Sequence, residues 1–305
     1  MYDIVIIGSG PAGLSSAIYA QRAGLKAVVV EKNYLGTGQI AESERVDNYP
    51  GLYGENGFDL GEKFRSHAES LGTEFIEGEA VKISKNTTDY SIELDNGNSL
   101  ETHTVIYAVG TERRKLQVEG EKEFSGRGVS YCAVCDAAFY KDKITAVAGG
   151  GDTALGDAAL LSKFAKKVYL IHRRDKFRAN KTLQQKVENI SNVEILLNSQ
   201  IKKINGSNKV ESITVDKNGA ETEIKVDGVF VAVGSVPNSA ILKDLVDIDD
   251  NGYVKADEDG VTSANGIFVA GDVRTKKLRQ VVTAVSDGAN CVLSAEDYLE
   301  KNKMI

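Results

Sequence analysis

The fold is set by the stretch Tyr2-Asp3-Ile4-Val5-Ile6-Ile7-Gly8-Ser9-Gly10-Pro11-Ala12-Gly13, near the start of the chain. The apolar run 2–7 is typical of a parallel strand that is buried on both faces. Gly8 permits a tight turn, Gly10 lets the backbone approach a pyrophosphate, and Gly13 lets the next helix pack closely on the strand. The stretch therefore predicts the first half of a nucleotide-binding βαβ unit.

A second apolar run, residues 25–30, follows a segment with helical periodicity and ends at Glu31. An acid at this position accepts hydrogen bonds from both hydroxyls of a ribose that carries no 2′-phosphate. A glycine motif alone also occurs in ordinary loops, but strand, loop, helix, strand and terminal acid in register favour a dinucleotide site. The contacts predicted for this site are Gly8, Ser9, Gly10, Pro11, Ala12, Gly13, Glu31 and Lys32.

The same pattern occurs again in the middle of the chain. The apolar run 144–148 is followed by Gly149-Gly150-Gly151-Asp152-Thr153-Ala154, a helical segment and the apolar run 168–171. The spacing from Gly149 to His172 equals the spacing from the first glycine to the acid of the first unit, so His172 takes the place of that acid. The chain therefore contains an internal repeat of two βαβ units.

A cluster of arginines, Arg173, Arg174 and Arg178, follows the second unit's last strand. A cationic cluster attracts a 2′-phosphate that an acid would repel. A solvated basic face is the alternative, but the position at the end of the strand favours phosphate binding. We therefore expect FAD in the first unit and NADPH in the second. The contacts predicted for the second unit are Gly149, Gly151, Asp152, Thr153, His172, Arg173, Arg174 and Arg178.

Between the two units lies the segment Ser130-Tyr131-Cys132-Ala133-Val134-Cys135-Asp136. Two thiols three positions apart on one helical turn bring their α-carbons to roughly 5–6 Å, the separation that a disulfide requires. The chain has 3 cysteines, too few for a disulfide-rich scaffold or a four-cysteine zinc site. Half of a zinc site shared between chains and a structural disulfide remain alternatives to a redox-active pair. Cys291 is expected to be a buried apolar residue without a chemical role.

The formal net charge of −7 argues against a nucleic-acid-binding surface. No apolar run approaches the ~20 residues of a membrane-spanning helix, and the first residues lack the pattern of a signal peptide. We therefore expect a cytoplasmic protein that binds neither nucleic acid nor membrane.

Other segments indicate the organisation of the chain. Alternating runs at 79–83, 90–94 and 100–102 predict a small antiparallel sheet. The apolar run 105–111 is expected to rejoin the first nucleotide sheet, and the charged stretch 112–123, which has no apolar periodicity, predicts a linker.

Taken together, the motifs resemble those of bacterial-type low-molecular-weight thioredoxin reductases over the whole chain. The dithiol directly before the second glycine motif distinguishes that family from other flavoprotein disulfide reductases. The resemblance rests on the two glycine loops, Gly38-Gln39, Asn48-Tyr49-Pro50-Gly51, Gly126-Arg127-Gly128-Val129-Ser130, His172-Arg173-Arg174 with Arg178, Gly271-Asp272 and Arg279-Gln280.

The resemblance implies an α/β fold with two Rossmann-like dinucleotide-binding domains of the three-layer ββα type, the second inserted into the first, and a homodimer. Residues 1–112 and 244–305 would form the FAD domain, and residues 113–243 the NADPH domain with the dithiol. On the residues alone, Asp272 is expected to cap a helix, but in the family it would hold the flavin ribityl chain. The further positions implied along or beside FAD are Gly38, Gln39, Asn48, Gly271, Arg279, Gln280 and Val281.

The resemblance also implies an enzyme that passes electrons from NADPH through FAD and the Cys132–Cys135 pair to the disulfide of thioredoxin. The reduction potential of thioredoxin is about −270 mV, so its reduction requires a strong electron donor. Cys135 would face the flavin, Cys132 would attack the substrate disulfide, and Asp136 would supply a proton to the leaving thiolate. The inserted domain would rotate about crossings near 110–115 and 237–242, since one dithiol cannot meet the flavin and the substrate at once.

The sequence departs from the family pattern at Thr37, Val134, Ala137 and Gly156, where the family commonly has glycine, threonine, glycine and glutamate. Gly156 motivates one alternative, a reductase of the same architecture that receives electrons from ferredoxin. A nucleotide-binding redox sensor is the alternative from another class. The sequence names neither the cognate thioredoxin nor the resting domain orientation.

Overall fold

The computed structural model describes residues 1–33, 36–43 and 45–305. The chain divides into two compact units, Met1–Glu112 with Val236–Ile305 and, inserted between them, Arg113–Ser235. This organisation confirms the predicted α/β class with one domain inserted into the other. The second boundary lies earlier than the expected 243/244, because Leu242 is fully buried in the first unit's core against Val5 and Val28.

Up to the start of the insertion, the described residues form two α-helices, six strands of one sheet and, last, a short strand that lies outside that sheet. These elements are β1 (Tyr2–Ile7), α1 (Pro11–Arg22), β2 (Ala27–Glu31), α2 (Gly57–Ser70), β3 (Glu74–Glu77), β4 (Ala80–Lys85), β5 (Tyr90–Leu94), β6 (Ser99–Tyr107) and β7 (Thr111–Arg113).

The inserted unit contains a second set of strands and three helices in its described residues. They are β8 (Val129–Ser130), α3 (Ala133–Asp136), β9 (Ile144–Gly149), α4 (Asp152–Leu161), β10 (Lys167–His172), α5 (Lys181–Glu188), β11 (Val193–Leu197), β12 (Ser199–Gly206), β13 (Val210–Lys217), β14 (Ala220–Lys225) and β15 (Gly228–Ala232). The chain then returns through β16 (Ser235–Pro237), which pairs with β7, and ends in β17 (Ile267–Val269) and α6 (Val281–Lys301).

The first unit is built on a sheet with the strand order β3-β2-β1-β6-β5-β4, in which β17 also pairs with β6. β6 runs parallel to β1 and β17, but its first residues pair antiparallel with β5. The predicted antiparallel pairing of the runs 79–83, 90–94 and 100–102 is confirmed, and so is the return of the run that begins at Val105 to the nucleotide sheet. The prediction that 100–102 and the run from Val105 are separate strands in separate sheets is wrong, because both runs belong to β6. No glycine or proline interrupts residues 99–107, so a single strand serves both parts of the sheet.

Helices α1 and α6 pack on one face of this sheet, and the contact between them is close. A Cβ at Gly288 would overlap the carbonyl oxygen of Ala12. Cys291, also on α6, is fully buried beside Leu14 and Ile106 in the same apolar cluster. This agrees with the prediction that Cys291 is a packing residue.

The inserted unit has three layers. Its parallel sheet has the order β11-β10-β9-β15-β8, and β12, β13 and β14 form a separate antiparallel sheet. Neighbouring residues of β9 point to opposite faces: Val147 packs with Leu155 of α4, whereas Ala146 packs with Ile213 of β13. This alternation places helices on one face of the parallel sheet and the antiparallel sheet on the other.

The charged stretch 112–123 is not a free linker, contrary to the prediction. Glu121 is only 3% exposed. Its carboxylate accepts hydrogen bonds from the backbone N–H of Leu116 (2.8 Å) and Gln117 (2.7 Å) and from the Tyr131 hydroxyl (3.0 Å). Its charge is thus held by local donors, and the segment is part of the inserted unit.

Candidate functional site

The first glycine loop joins β1 to α1. Gly8 has a φ of 99°, a left-handed conformation that glycine adopts without strain. A Cβ at Gly13 would overlap the Gly8 carbonyl oxygen, and a Cβ at Gly38 would lie 2.9 Å from the α-carbon of Gly10. Gly10 and Gly38 therefore face each other with no side chain between them, which leaves backbone available to a bound pyrophosphate. Pro11 and Ala12 begin α1, and Ala12 is buried.

Glu31, at the end of β2, is fixed against this loop. Its Oε2 accepts hydrogen bonds from the backbone N–H of Ser9 (2.9 Å) and from the Ser9 hydroxyl (2.8 Å), and its Oε1 accepts one from Asn33 N–H (3.0 Å). The structure thus brings the predicted acid to the predicted loop. Lys32 lies apart from them in an exposed ion pair with Glu79 at 3.8 Å.

Two pairs of residues predicted to lie along a flavin are joined by hydrogen bonds. Asn48 Nδ2 donates to Gln280 Oε1 at 2.9 Å, and Gln280 caps the N-terminus of α6, which Val281 begins. Arg279 Nε donates to the carbonyl oxygen of Asp272 at 3.2 Å. The hydrogen bonds bring residues 48 and 272–281 together although they are far apart in sequence.

Two further residues predicted beside the flavin belong to the same unit. The amide of Gln39 donates to the Thr111 carbonyl oxygen. Gly271 precedes Asp272 in a short 3-10 turn and has a φ of 80°.

A buried ion cluster that the sequence analysis missed holds the segment 271–280. Asp287 of α6 accepts hydrogen bonds from Gly271 N–H (2.9 Å), Arg274 Nε (2.9 Å) and Nη2 (2.8 Å), and Lys276 Nζ (2.7 Å). The signal in the sequence is an acid on the apolar face of α6, between Ala284 and Cys291. A buried acid there requires cationic or polar partners.

The second glycine loop joins β9 to α4, and its geometry depends on His172. A Cβ at Gly150 would overlap the His172 ring, so the loop lies directly against the imidazole. The ring stacks on Phe177 at a centroid distance of 5.4 Å. Burial, together with the charges of Arg174, Arg178 and Arg173, holds the His172 pKa below its ordinary value of 6.5, although the hydrogen bond to the Lys176 carbonyl acts in the opposite direction. His172 therefore contributes packing to the site but no positive charge at neutral pH, and the neighbouring arginines carry positive charge there.

Arg173, Arg174 and Arg178 are all exposed. Within the parts of the chain that the structure describes, none of the three forms an ion pair with a carboxylate. The backbone N–H of Arg178 donates to the carbonyl oxygen of Gly150 at 2.8 Å. The three positive charges are thus held beside the glycine loop and are available to an anionic ligand.

Three more predicted contacts lie at the start of α4. Gly151 caps this helix, and a Cβ there would meet no atom within 4 Å. Thr153 is exposed in the first turn. Asp152 is also exposed, but its Oδ1 accepts two hydrogen bonds from Asn180, a residue that the sequence analysis did not consider.

The Cys132–Cys135 pair is disulfide-bonded, with a Cα–Cα distance of 5.3 Å. Cys132 caps the N-terminus of α3, and its Sγ accepts a hydrogen bond from the backbone N–H of Cys135 at 3.2 Å. Val134, between the two cysteines, is 55% exposed. The spacing argument for the disulfide is therefore confirmed, and the pair lies at the surface of the inserted unit.

Ser130 links the cysteine pair to Asp136, and the sequence analysis did not predict this role. Its hydroxyl donates to Asp136 Oδ2 at 2.5 Å and accepts a hydrogen bond from the backbone N–H of Cys132 at 3.1 Å. The side chain is buried, so it holds the carboxylate in a fixed position relative to the sulfurs. A serine six positions before an acid, on the other side of a cysteine pair, is a weak signal that only the fold makes visible.

The third cysteine is chemically separate. Cys291 is fully buried, and burial raises the pKa of its thiol.

Among the described residues there is no cluster of three or more histidine, cysteine or acidic side chains that could hold a metal ion. Over the same residues, no helix combines the length and the apolar character needed to cross a membrane.

Comparison with known proteins agrees with this geometry. The family described as pyridine nucleotide-disulphide oxidoreductase matches residues 2–288. Thioredoxin reductase of Bacillus subtilis is 41% identical over 304 residues, covering 99% of this chain and 96% of that protein. Thioredoxin reductase of Mycoplasma genitalium is 42% identical over 302 residues, covering 97% and 95% respectively.

Among solved structures, thioredoxin reductase from Streptococcus pyogenes matches with a TM-score of 0.94 and 40% sequence identity, and the match covers 99% of each chain. The resemblance inferred from the motifs is therefore confirmed. This chain belongs to the pyridine nucleotide-disulphide oxidoreductase family and, within it, to the thioredoxin reductases.

Proposed function

We propose that the chain catalyses the reduction of thioredoxin, using electrons that NADPH supplies through FAD and the Cys132–Cys135 pair. The observation that carries the proposal is this disulfide, placed at the surface of the unit that also contains the second glycine loop and its arginine cluster. Membership of the family implies a flavin and a nicotinamide cofactor. The particular choices of FAD, NADPH and thioredoxin are part of the proposal.

The first unit fits FAD. The backbones of Gly10 and Gly38 leave room for a pyrophosphate, and the position of Glu31 suits a ribose with free hydroxyls. Asn48, Asp272 and Arg279 would then lie along the flavin. The second unit fits NADPH, because its arginines have no carboxylate partner among the described residues and a 2′-phosphate supplies one.

When bound, the flavin supplies the two-electron couple that connects a nicotinamide donor to a disulfide. The protein's own contribution is at the sulfurs. The backbone N–H of Cys135, which reaches Cys132 Sγ, would stabilise a Cys132 thiolate once the disulfide is reduced. Ser130 fixes the carboxyl group of Asp136 close to the pair.

Thiol exchange then proceeds in two balanced steps. The Cys132 thiolate attacks one sulfur of the thioredoxin disulfide, which forms a mixed disulfide and releases the other thioredoxin sulfur, and this sulfur takes a proton from Asp136. Cys135 next attacks the Cys132 sulfur. This step releases the second thioredoxin thiol and restores the Cys132–Cys135 disulfide.

The test uses Cys135→Ser. The variant should still lose its flavin absorbance when NADPH is added anaerobically, but it should not reduce thioredoxin. Cys291→Ala, which removes the buried thiol outside the site, should retain turnover. Sustained thioredoxin reduction by Cys135→Ser would refute the assignment of the dithiol.

The electron donor is tested by running the thioredoxin-coupled assay in parallel with NADPH, NADH and reduced ferredoxin. Bleaching of the flavin by ferredoxin and not by excess NADPH would replace the proposal with the ferredoxin-dependent alternative. Absence of turnover with all three donors would favour a redox sensor.

The proposal includes a homodimer, which the resemblance implies, and a location in the cytoplasm, which the sequence patterns favour. Sedimentation velocity of the purified protein tests the dimer, and fractionation of cells tests the location.

A further inference from the structure

We propose that Asn180 is a specificity-determining residue: by holding Asp152 it positions the loop 173–180, whose arginines select a 2′-phosphate. The inference rests on the proposed function, because it takes the second glycine loop as the NADPH site. It adds a residue to that site and a physical reason why NADPH would be preferred to NADH.

The contact between Asn180 and Asp152 joins the two helices that flank the site. Asp152 is the first residue of α4. Its Oδ1 accepts hydrogen bonds from the backbone N–H of Asn180 at 2.8 Å and from the Asn180 side-chain amide at 2.9 Å. The Oδ1 of Asn180 in turn accepts a hydrogen bond from Leu183 N–H at 2.8 Å and so caps α5. One side chain therefore fixes the start of α5 relative to the start of α4.

The loop between β10 and α5 has two other anchors. The backbone N–H of Arg178 donates to the Gly150 carbonyl oxygen at 2.8 Å, and the His172 ring nitrogen lies 3.1 Å from the Lys176 carbonyl oxygen. Asn180 comes two residues after Arg178, so it closes the end of the loop that the histidine does not reach. Among the described residues, the hydrogen bond that would remain between that end and the glycine loop is the one from the Arg178 backbone.

Loss of the contact between Asn180 and Asp152 should affect ligands with and without a 2′-phosphate differently. The pyrophosphate meets the glycine loop, whose backbone does not depend on Asn180. The 2′-phosphate meets the arginines, and a guanidinium binds a phosphate strongly only when both groups are in register. Loss of the Asn180 contact should therefore weaken ligands that carry a 2′-phosphate and leave the others nearly unchanged.

The test measures binding of 2′,5′-ADP and 5′-AMP by calorimetry to the full-length protein with its bound flavin. Asn180→Asp keeps the shape and an N-cap acceptor but sets a second carboxylate against Asp152. It should weaken 2′,5′-ADP about tenfold or more, as expected for a lost hydrogen bond to a charged group, with 5′-AMP changed less than about twofold. Asn208→Asp, at an exposed position of the same unit, is the control for added charge and should leave both affinities within about twofold.

A double variant tests the contact itself. Asp152→Asn combined with Asn180→Asp exchanges the two side chains, restores the hydrogen bond and returns the pair to a single negative charge, which now lies at position 180 at the end of the arginine loop. It should recover 2′,5′-ADP affinity to within about threefold of the wild type. Failure to recover, or equal weakening of both ligands by Asn180→Asp alone, would overturn the role of Asn180.

The proposed function has its own readout in this experiment. A wild-type protein that binds 2′,5′-ADP no more tightly than 5′-AMP would refute NADPH binding at this loop, and the role of Asn180 with it. Circular dichroism spectra of all variants should overlay on that of the wild type.

Discussion

The buried ion cluster beside the first nucleotide site leads to a quantitative prediction for Asp287→Asn. The side chains of Asp287, Arg274 and Lys276 are 5%, 2% and 5% exposed. Asp287 is the partner of both cations. Arg274 also contacts the Glu258 carboxylate at 3.3 Å, which is 91% exposed, and Lys276 Nζ also donates to the neutral Thr283 carbonyl oxygen at 3.3 Å. Substitution by asparagine would leave two buried positive charges with one neutral amide oxygen in place of the carboxylate.

The expected cost follows from this geometry. Removing one partner of a buried ion pair typically destabilises a protein by about 3–5 kcal/mol, because the remaining charge is neither hydrated nor paired. Whole domains are stable by only about 5–15 kcal/mol. Asp287→Asn should therefore lose a large part of the free energy of unfolding of the first unit. It should also release flavin more readily, since Asp287 holds Gly271 and Arg274 on either side of Asp272.

The assay is urea unfolding followed by far-UV circular dichroism, because the chain has no tryptophan. Asp297→Asn is the matched control. Asp297 lies on the same helix but is exposed, and the substitution should change the free energy of unfolding by less than about 0.5 kcal/mol. A double variant that adds Lys276→Met removes one unpaired cation and should regain part of the stability lost in Asp287→Asn. A loss below about 1 kcal/mol in Asp287→Asn, or no recovery in the double variant, would contradict this account of the cluster.

Three further predictions concern other positions in the two units. Burial raises the pKa of Asp157 to about 7, so the folded state holds a proton that the unfolded state loses at lower pH. Relative to Asp157→Asn, wild-type stability in urea should fall by about 2 kcal/mol as the pH rises from 5 to 7; equal pH profiles would contradict this. Gly156→Ala should raise the free energy of unfolding by about 0.5–1 kcal/mol, since the added Cβ meets no atom within 4 Å, whereas Gly288→Ala should lower it because its Cβ overlaps backbone. After reduction, a thiol reagent should modify two cysteines in the folded protein and the buried Cys291 only after unfolding; modification of three in the folded state would contradict its burial.

The parts of the fold that could be predicted are those with a local signal. The strands β1 and β9 are continuous apolar runs followed by glycine loops, and the structure places each of them inside its sheet between two parallel neighbours. The antiparallel sheet β12-β13-β14 was not predicted, because its strands include many exposed charged residues and its pairing joins residues up to 18 positions apart. The supposed linker 112–123 was misjudged for a related reason. Its charge suggested solvent exposure, but Glu121 is buried by backbone donors that composition does not reveal.

In the candidate site too, features with a local signal were predicted, whereas features that depend on distant contacts were not. The cysteine pair, Glu31 and the arginine cluster follow from spacing within one βαβ unit or one helical turn. Residues whose role depends on a partner distant in sequence were missed. Asp287 acts on a loop 13–16 residues before it, and Asn180 acts on Asp152 28 positions away. For such residues, the sequence shows the side chain but not the donor or acceptor that gives it a role.

The two nucleotide sites share one backbone plan and differ in how they carry charge. In the first unit, the carboxylate of Glu31 is fixed by two hydrogen bonds from Ser9 and lies where a 2′-phosphate would meet an acid. In the second unit, the equivalent His172 has a lowered pKa and is neutral at neutral pH, partly because the neighbouring arginines oppose its protonation. Arginine remains protonated to pH values above about 12. Under the proposed function, discrimination between the two nucleotides would therefore depend on groups that keep their charge through the physiological range, and His172 would serve to position the second glycine loop.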